Sequence, residues 1–284
     1  MADTLLLPFQ FPFMRMAFAI ALMIAVPTAL LSAFLVLKGW ALMGDAVSHA
    51  VLPGIVLAYI LGLPLLLGAF AAGIATSAAT GFLAANSRVK PDTVMGVVFS
   101  GMFGLGIVLM TATPSDLHLD HILFGNMLGI GPGDLWTTGL IALVVTAGLG
   151  LFWRDLMLAA FDPVQARVSG LRTGLLHYGL LAAISACVVA TLSATGLILA
   201  VALLILPGAI GFLLARSFGR MLAASVASAV LALPAGVYAS FFLDASPAAT
   251  IVLALTVLFL AALIRRNRAI RRGSGDDRAP AARP

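Results

Sequence analysis

Nine stretches of this chain are apolar and long enough to cross a bilayer, and only short polar joints separate most of them. Hydropathy puts them at residues 17–37, 41–61, 64–85, 94–111, 135–153, 175–191, 194–215, 221–242 and 247–264. A crossing helix needs about 20 mostly apolar residues. Inside hydrocarbon each backbone N–H and C=O must find its partner within the protein, which leaves helices and closed barrels as the spanning structures. Barrel strands would alternate apolar and polar residues over about ten positions, whereas these runs are apolar on every face. The expected fold class is therefore all-α, a polytopic helical membrane protein of eight or nine transmembrane helices. With 62% hydrophobic and 10% charged residues, the chain lies far from soluble domains, where about a quarter are charged.

Charge orients the helices. Lys38, Arg88, Lys90, Arg154, Arg167, Arg172, Arg216, Arg220 and the arginines from Arg265 onward fall on one side if every run crosses once, and the positive-inside bias makes that side cytoplasmic. Arg15 and the N-terminus then lie outside, and a re-entrant first segment would reduce nine spans to eight. The expected organisation is a transmembrane domain over residues 1–264 and a basic, disordered cytoplasmic tail over 265–284. Seven of the sixteen basic residues sit in that tail, so the net charge of +5 does not point to nucleic acid. No basic segment precedes the first apolar run, so no cleavable signal is expected. Cys187 is the single cysteine and has no intrachain partner.

The second span contains the most informative residues. Asp45 and His49 are the only acidic residue and the only histidine between Lys38 and Arg88. A spacing of four puts carboxylate and imidazole on one helix face, one turn apart. A charged side chain at bilayer depth costs about 3 kcal/mol on insertion scales, so such residues mark ion paths, relays or buried pairs. One oxygen and one nitrogen ligand suit zinc, manganese or ferrous iron better than copper(I). Pro53 withholds the N–H that the His49 carbonyl would receive and should kink the helix there, while Gly44 and Gly54 allow a neighbouring helix to come close. Two ligands do not complete a site. A second copy of the chain, with its own pair facing a two-fold axis, would supply two more.

Two joints are longer than turns. The outer one, residues 112–134, carries His118, Asp120 and His121, which have the chemistry of a weak metal-capture site but also that of ordinary solvated loop residues. The inner one, residues 154–173, predicts a short cytoplasmic helix: Asp162 caps its start, Pro163 opens its first turn and Gly170 ends it. Asp92 is expected as the N-cap of the fourth span, His177 as an interfacial anchor and Asp244 as a loop or cap residue. Absent motifs narrow the function. The sequence has no phosphate-binding loop and, lacking glutamate altogether, no His-Glu-x-x-His, so neither ATP hydrolysis nor zinc-peptidase chemistry is expected of it.

The run from Gly44 to Gly54, Gly-Asp-Ala-Val-Ser-His-Ala-Val-Leu-Pro-Gly, resembles the second-span signature of the ABC-3 permeases, membrane subunits of ATP-driven zinc, manganese and iron importers. Other blocks agree in order: Asp92-Thr93 with Gly96, the His121 to Asn126 piece, Phe161-Asp162-Pro163 through Gly170-Leu171, His177-Tyr178, the stretch from Gly196 to Pro207, and the segment from Tyr238 to Thr250. The resemblance implies a permease like those of type II ABC importers. In that reading Asp45 and His49 meet the metal in the translocation path, and residues 162–171, with Asp162, Pro163, Ala166 and Gly170, form the coupling helix that docks on the ATPase. Gln165 stands where relatives often carry an acidic residue.

The resemblance further implies a cytoplasmic ABC ATPase subunit, an extracytoplasmic metal-binding protein, a second copy of the chain, surrounding membrane lipid and a location in the bacterial inner membrane. The divalent metal is cargo, and no permanently bound cofactor is expected. An alternative is a proton- or ion-coupled secondary transporter using Asp45 and His49 as a relay. A membrane enzyme using Asp45 as general acid or base would lack a second catalytic group.

Overall fold

A computed structural model of the chain describes residues 2–113, 127, 129 and 131–276. Among these, twelve helices run in the order α1 (Ala2–Gln10), α2 (Pro12–Lys38), α3 (Met43–Ala50), α4 (Leu52–Ile60), α5 (Leu65–Asn86), α6 (Pro91–Ala112), α7 (Pro132–Phe161), α8 (Pro163–Val168), α9 (Thr173–Thr195), α10 (Leu197–Leu214), α11 (Phe218–Leu243) and α12 (Pro247–Asp276). The protein is an all-α polytopic membrane protein. Nine spans among the described residues are long and apolar enough to cross, with α3 and α4 together making one of them, Met43–Ile60. The first is a full 27-residue helix, about 40 Å long at 1.5 Å per residue, so length gives no reason to treat it as re-entrant.

Helix α2 is the hub and lies against α7, α10 and α11. Its apolar surface wraps the whole cylinder, as expected of a helix buried on several sides, and splits between two cores. Phe34 and Leu35 meet Met43 and Val47 of α3 and Leu181, Ile184 and Val188 of α9. The N-terminal half, with Ile20 and Ile24, packs into a second core with Leu199 and Leu203 of α10, Leu233 and Val237 of α11, and Ile251 and Leu255 of α12. Several polar groups inside the bundle bond from one helix to another. The Ser32 hydroxyl accepts from the Gly208 N–H at 2.8 Å, Thr250 Oγ1 donates to the Gly236 carbonyl at 2.9 Å, and the hydroxyls of Ser77 and Ser185 pair at 3.1 Å. Such bonds between helices take the place of a hydrophobic drive that lipid cannot supply.

Two joints differ from what the sequence suggests. Asp92 is not the N-cap of its span: Pro91 already begins the helix and Lys90 holds the extended cap position. Asp92 instead lies in the first turn, where a carboxylate favours the positive end of the helix dipole. The last helix continues beyond 264 to Asp276. Helices α9 and α10 are joined by one residue, Gly196, at φ 83°, a conformation that L side chains rarely adopt. Asp244 caps α11 in the left-handed region at φ 49°, in line with its expected cap role.

Candidate functional site

The break between α3 and α4 positions the site. Pro53 falls in the first turn of α4, and the hydrogen-bond ladder is interrupted at Val51, two residues after His49. This is the break expected from a proline that cannot donate to the His49 carbonyl. The glycines around it let other helices close in. A Cβ at Gly44 would lie 2.6 Å from Leu204 Cδ1 of α10, and Gly54 meets the backbone of Gly68 on α5. The broken span is thus clamped between α5 and α10, with α6 along its third side.

Asp45 and His49 point the same way, as their spacing predicts. Asp45 Oδ1 lies 3.4 Å from His49 Nε2, and both side chains are part-exposed in the single protomer. That separation exceeds the roughly 2.7–2.9 Å of a strong charge-assisted hydrogen bond. Two ligand atoms each about 2.1 Å from one cation stand roughly 3.0 Å apart at a right angle and roughly 3.4 Å apart at the tetrahedral angle. A separation of 3.4 Å is thus compatible with two neighbouring ligands of one metal as well as with a loose Asp–His ion pair. The other imidazole nitrogen, His49 Nδ1, is buried and has no hydrogen-bond partner among the described residues.

Two aromatic residues complete the wall, and the sequence did not reveal them. The His49 ring centroid lies 5.0 Å from that of Phe99 and 5.6 Å from that of Phe103, the latter edge-on, both from α6. They restrict the imidazole's rotation, and their apolar bulk keeps water from one side of the ring. Ser48, between the pair, is turned inward and donates to the Gly44 carbonyl at 2.7 Å. Among the described residues, no group of three or more His, Cys, Asp or Glu comes together. His118, Asp120 and His121 of the outer loop lie outside the described residues.

The inner loop folds as its sequence suggests. Asp162 Oδ1 accepts from the Gln165 N–H at 2.8 Å, Pro163 occupies the first position of α8, and Gly170 turns the chain at φ 80°. Ala166 is fully buried beneath the helix, while Val164 and Val168 are 69% and 77% exposed. The result is a short capped helix anchored by one small residue, with apolar side chains facing outward. His177, expected as an interfacial anchor, stands edge-on to Trp40 at 5.6 Å between ring centroids.

The profile of the ABC 3 transport family matches residues 10–266. The "Chelated iron transport system membrane protein YfeD" of Yersinia pestis is 51% identical over 90% of this chain and 86% of its own length. The "Manganese transport system membrane protein MntB" of Synechocystis is 43% identical over 90% of this chain and 84% of its own. Among solved structures, "PsaBC from Streptococcus pneumoniae in complex with Fab" contains a chain that superposes with a TM-score of 0.81 at 31% identity, covering 92% of this chain and 95% of that one.

Proposed function

This chain belongs to the ABC 3 transport family, and on that premise we propose that two copies of it form the path by which an ATP-driven importer takes up manganese or ferrous iron. It is a multi-pass permease subunit of a metal importer in the bacterial inner membrane. The metal, the dimer and the partners are the proposed part.

The Asp45–His49 pair carries the reading. It sets an oxygen and a nitrogen at the spacing of adjacent metal ligands inside an otherwise apolar span, and that ligand mixture suits first-row divalent ions. A second pair, from the second copy, would give a site of two carboxylates and two imidazoles. A site built from two separable halves can form to admit a metal and part to release it, as transport requires. Relatives named for iron and for manganese favour those two ions over zinc. The chain has no phosphate loop, so an ATP-driven cycle would take its energy from a separate ATPase, and the capped α8 with its outward valines is a suitable docking element. A metal-binding protein would deliver the ion at the opposite face.

The test is uptake of radiolabelled manganese, iron and zinc, offered together to proteoliposomes that contain the chain with its cognate ATPase and binding protein. ATP-dependent entry of manganese or iron, lost in Asp45→Asn and His49→Gln complexes that still assemble, is the expected result. Preferred zinc entry would overturn the metal assignment. Uptake by the chain alone, driven by a proton gradient, would move the pair to a relay role and sink the ATP-driven reading.

A further inference from the structure

Two cavities on the flank of the bundle share a wall. The first, about 240 Å³, is lined by Lys38 from the end of α2, Arg167 from α8 and His177 from α9, and no carboxylate is among its lining residues. The second, about 440 Å³, lies between α7 and α9 with Phe70 of α5 beside it, and its lining is apolar. Leu156, Leu176 and Leu180 belong to both. The two therefore lie side by side on one flank, the cationic one at the end that carries α8 and the apolar one between α7 and α9. Val144, Phe152 and Leu175 on its walls are exposed, so the apolar part opens sideways, where the bilayer would be.

Lys38 is held in place, Arg167 is exposed beside it, and neither is neutralised among the described residues. Lys38 is half-buried, with its Nζ 4.5 Å above the Trp40 ring, and Trp40 in turn abuts His177. Among the described residues, neither Lys38 nor Arg167 has a carboxylate within 4.0 Å. A half-buried ammonium without a counter-ion favours an anionic visitor, and basic pockets between spanning helices on the cytoplasmic side suit anionic lipid head groups.

We propose that these adjoining cavities bind an anionic phospholipid of the cytoplasmic leaflet, its phosphate between Lys38 and Arg167 and an acyl chain between α7 and α9. The apolar cavity directly beside the cationic one favours a phospholipid over free phosphate, which would leave the apolar cavity unused. The lipid would sit against Pro163 and Arg167 of α8, so its occupancy would bear on how that helix is held. The assignment does not depend on which metal is carried or on what drives the transport.

Native mass spectrometry of the purified full chain in detergent, titrated with phosphatidylglycerol, phosphatidylcholine or inorganic phosphate, tests it. Phosphatidylglycerol should remain bound and phosphatidylcholine should not. Lys38→Gln and Arg167→Gln should each weaken retention about fivefold, the contribution of one basic residue near an anionic surface. Filling the apolar cavity is an independent check with the cations intact. A Cβ at Gly148 or Gly179 meets nothing within 4 Å, so Gly179→Leu should fold, keep its charge and lose the lipid. Equal retention of both phospholipids, indifference to the charge variants, or displacement of the lipid by inorganic phosphate would overturn the proposal. So would disulfide-linked dimers of a Gly148→Cys chain in the membrane, which would assign the apolar cavity to a second copy.

Discussion

Gly54 and Gly68 lie back to back where α4 crosses α5, so that a Cβ on either would strike the carbonyl oxygen of the other. Backbone meets backbone here, beside the break that orients His49. Overpacking such a contact costs about 1–3 kcal/mol. Gly54→Ala and Gly68→Ala should therefore lower the thermal unfolding midpoint of the purified protein. Gly96→Ala on α6, where a Cβ meets nothing, should leave it unchanged or raise it, because alanine favours a helix by about 1 kcal/mol over glycine. Equal midpoints for all three variants would contradict the close crossing.

Replacing Pro53 tests whether the break serves transport. Pro53→Ala restores an N–H to the His49 carbonyl and removes a helix-breaking ring, a relief of up to about 3 kcal/mol. The expected outcome is a protein at least as stable as the parent with several-fold slower metal uptake, a trade common where function depends on strain. Unchanged uptake would show that a straight helix presents Asp45 and His49 equally well.

The aromatic wall should matter through position rather than ligation. Phe99→Ala removes a contact worth about 0.5–1.5 kcal/mol and frees the imidazole to turn. Metal uptake should fall, but less than in Asp45→Asn, and Phe99→Tyr should restore most of it by keeping the ring. A Phe99→Ala loss as complete as that of Asp45→Asn, with no rescue by tyrosine, would argue for a different role.

The start of α8 rests on one side-chain cap. Asp162→Ala should cost about 1 kcal/mol of local stability and reduce co-purification of the ATPase while leaving insertion intact. Gly170→Val, which forces a β-branched residue to φ 80°, should do the same more strongly. Undiminished recovery of the ATPase with both variants would remove α8 from the docking surface.

Much of this was readable in the sequence, for reasons that also explain the gaps. The spans were legible because hydrocarbon demands length and apolarity, and the α3–α4 break because proline acts on its own helix. Asp45 and His49 stood out because polar residues are rare there. Phe99 and Phe103 did not, since in a helix with no polar face the pattern cannot say which aromatic points at the site. The cap at Lys90 is not legible from Asp92, because aspartate favours both the cap and the first turn, and only Pro91 distinguishes them. The meeting of Lys38, Arg167 and His177 joins three distant segments, and no local pattern records it.

The one-residue joint at Gly196 leaves little slack between the adjoining ends of α9 and α10. Helix α9 begins just after α8 at the basic face, and α10 presses Leu204 onto Gly44, next to Asp45. Were α8 the docking element proposed above, a displacement there would run along α9 to Gly196 and return through α10 to the depth of the Asp45 carboxylate.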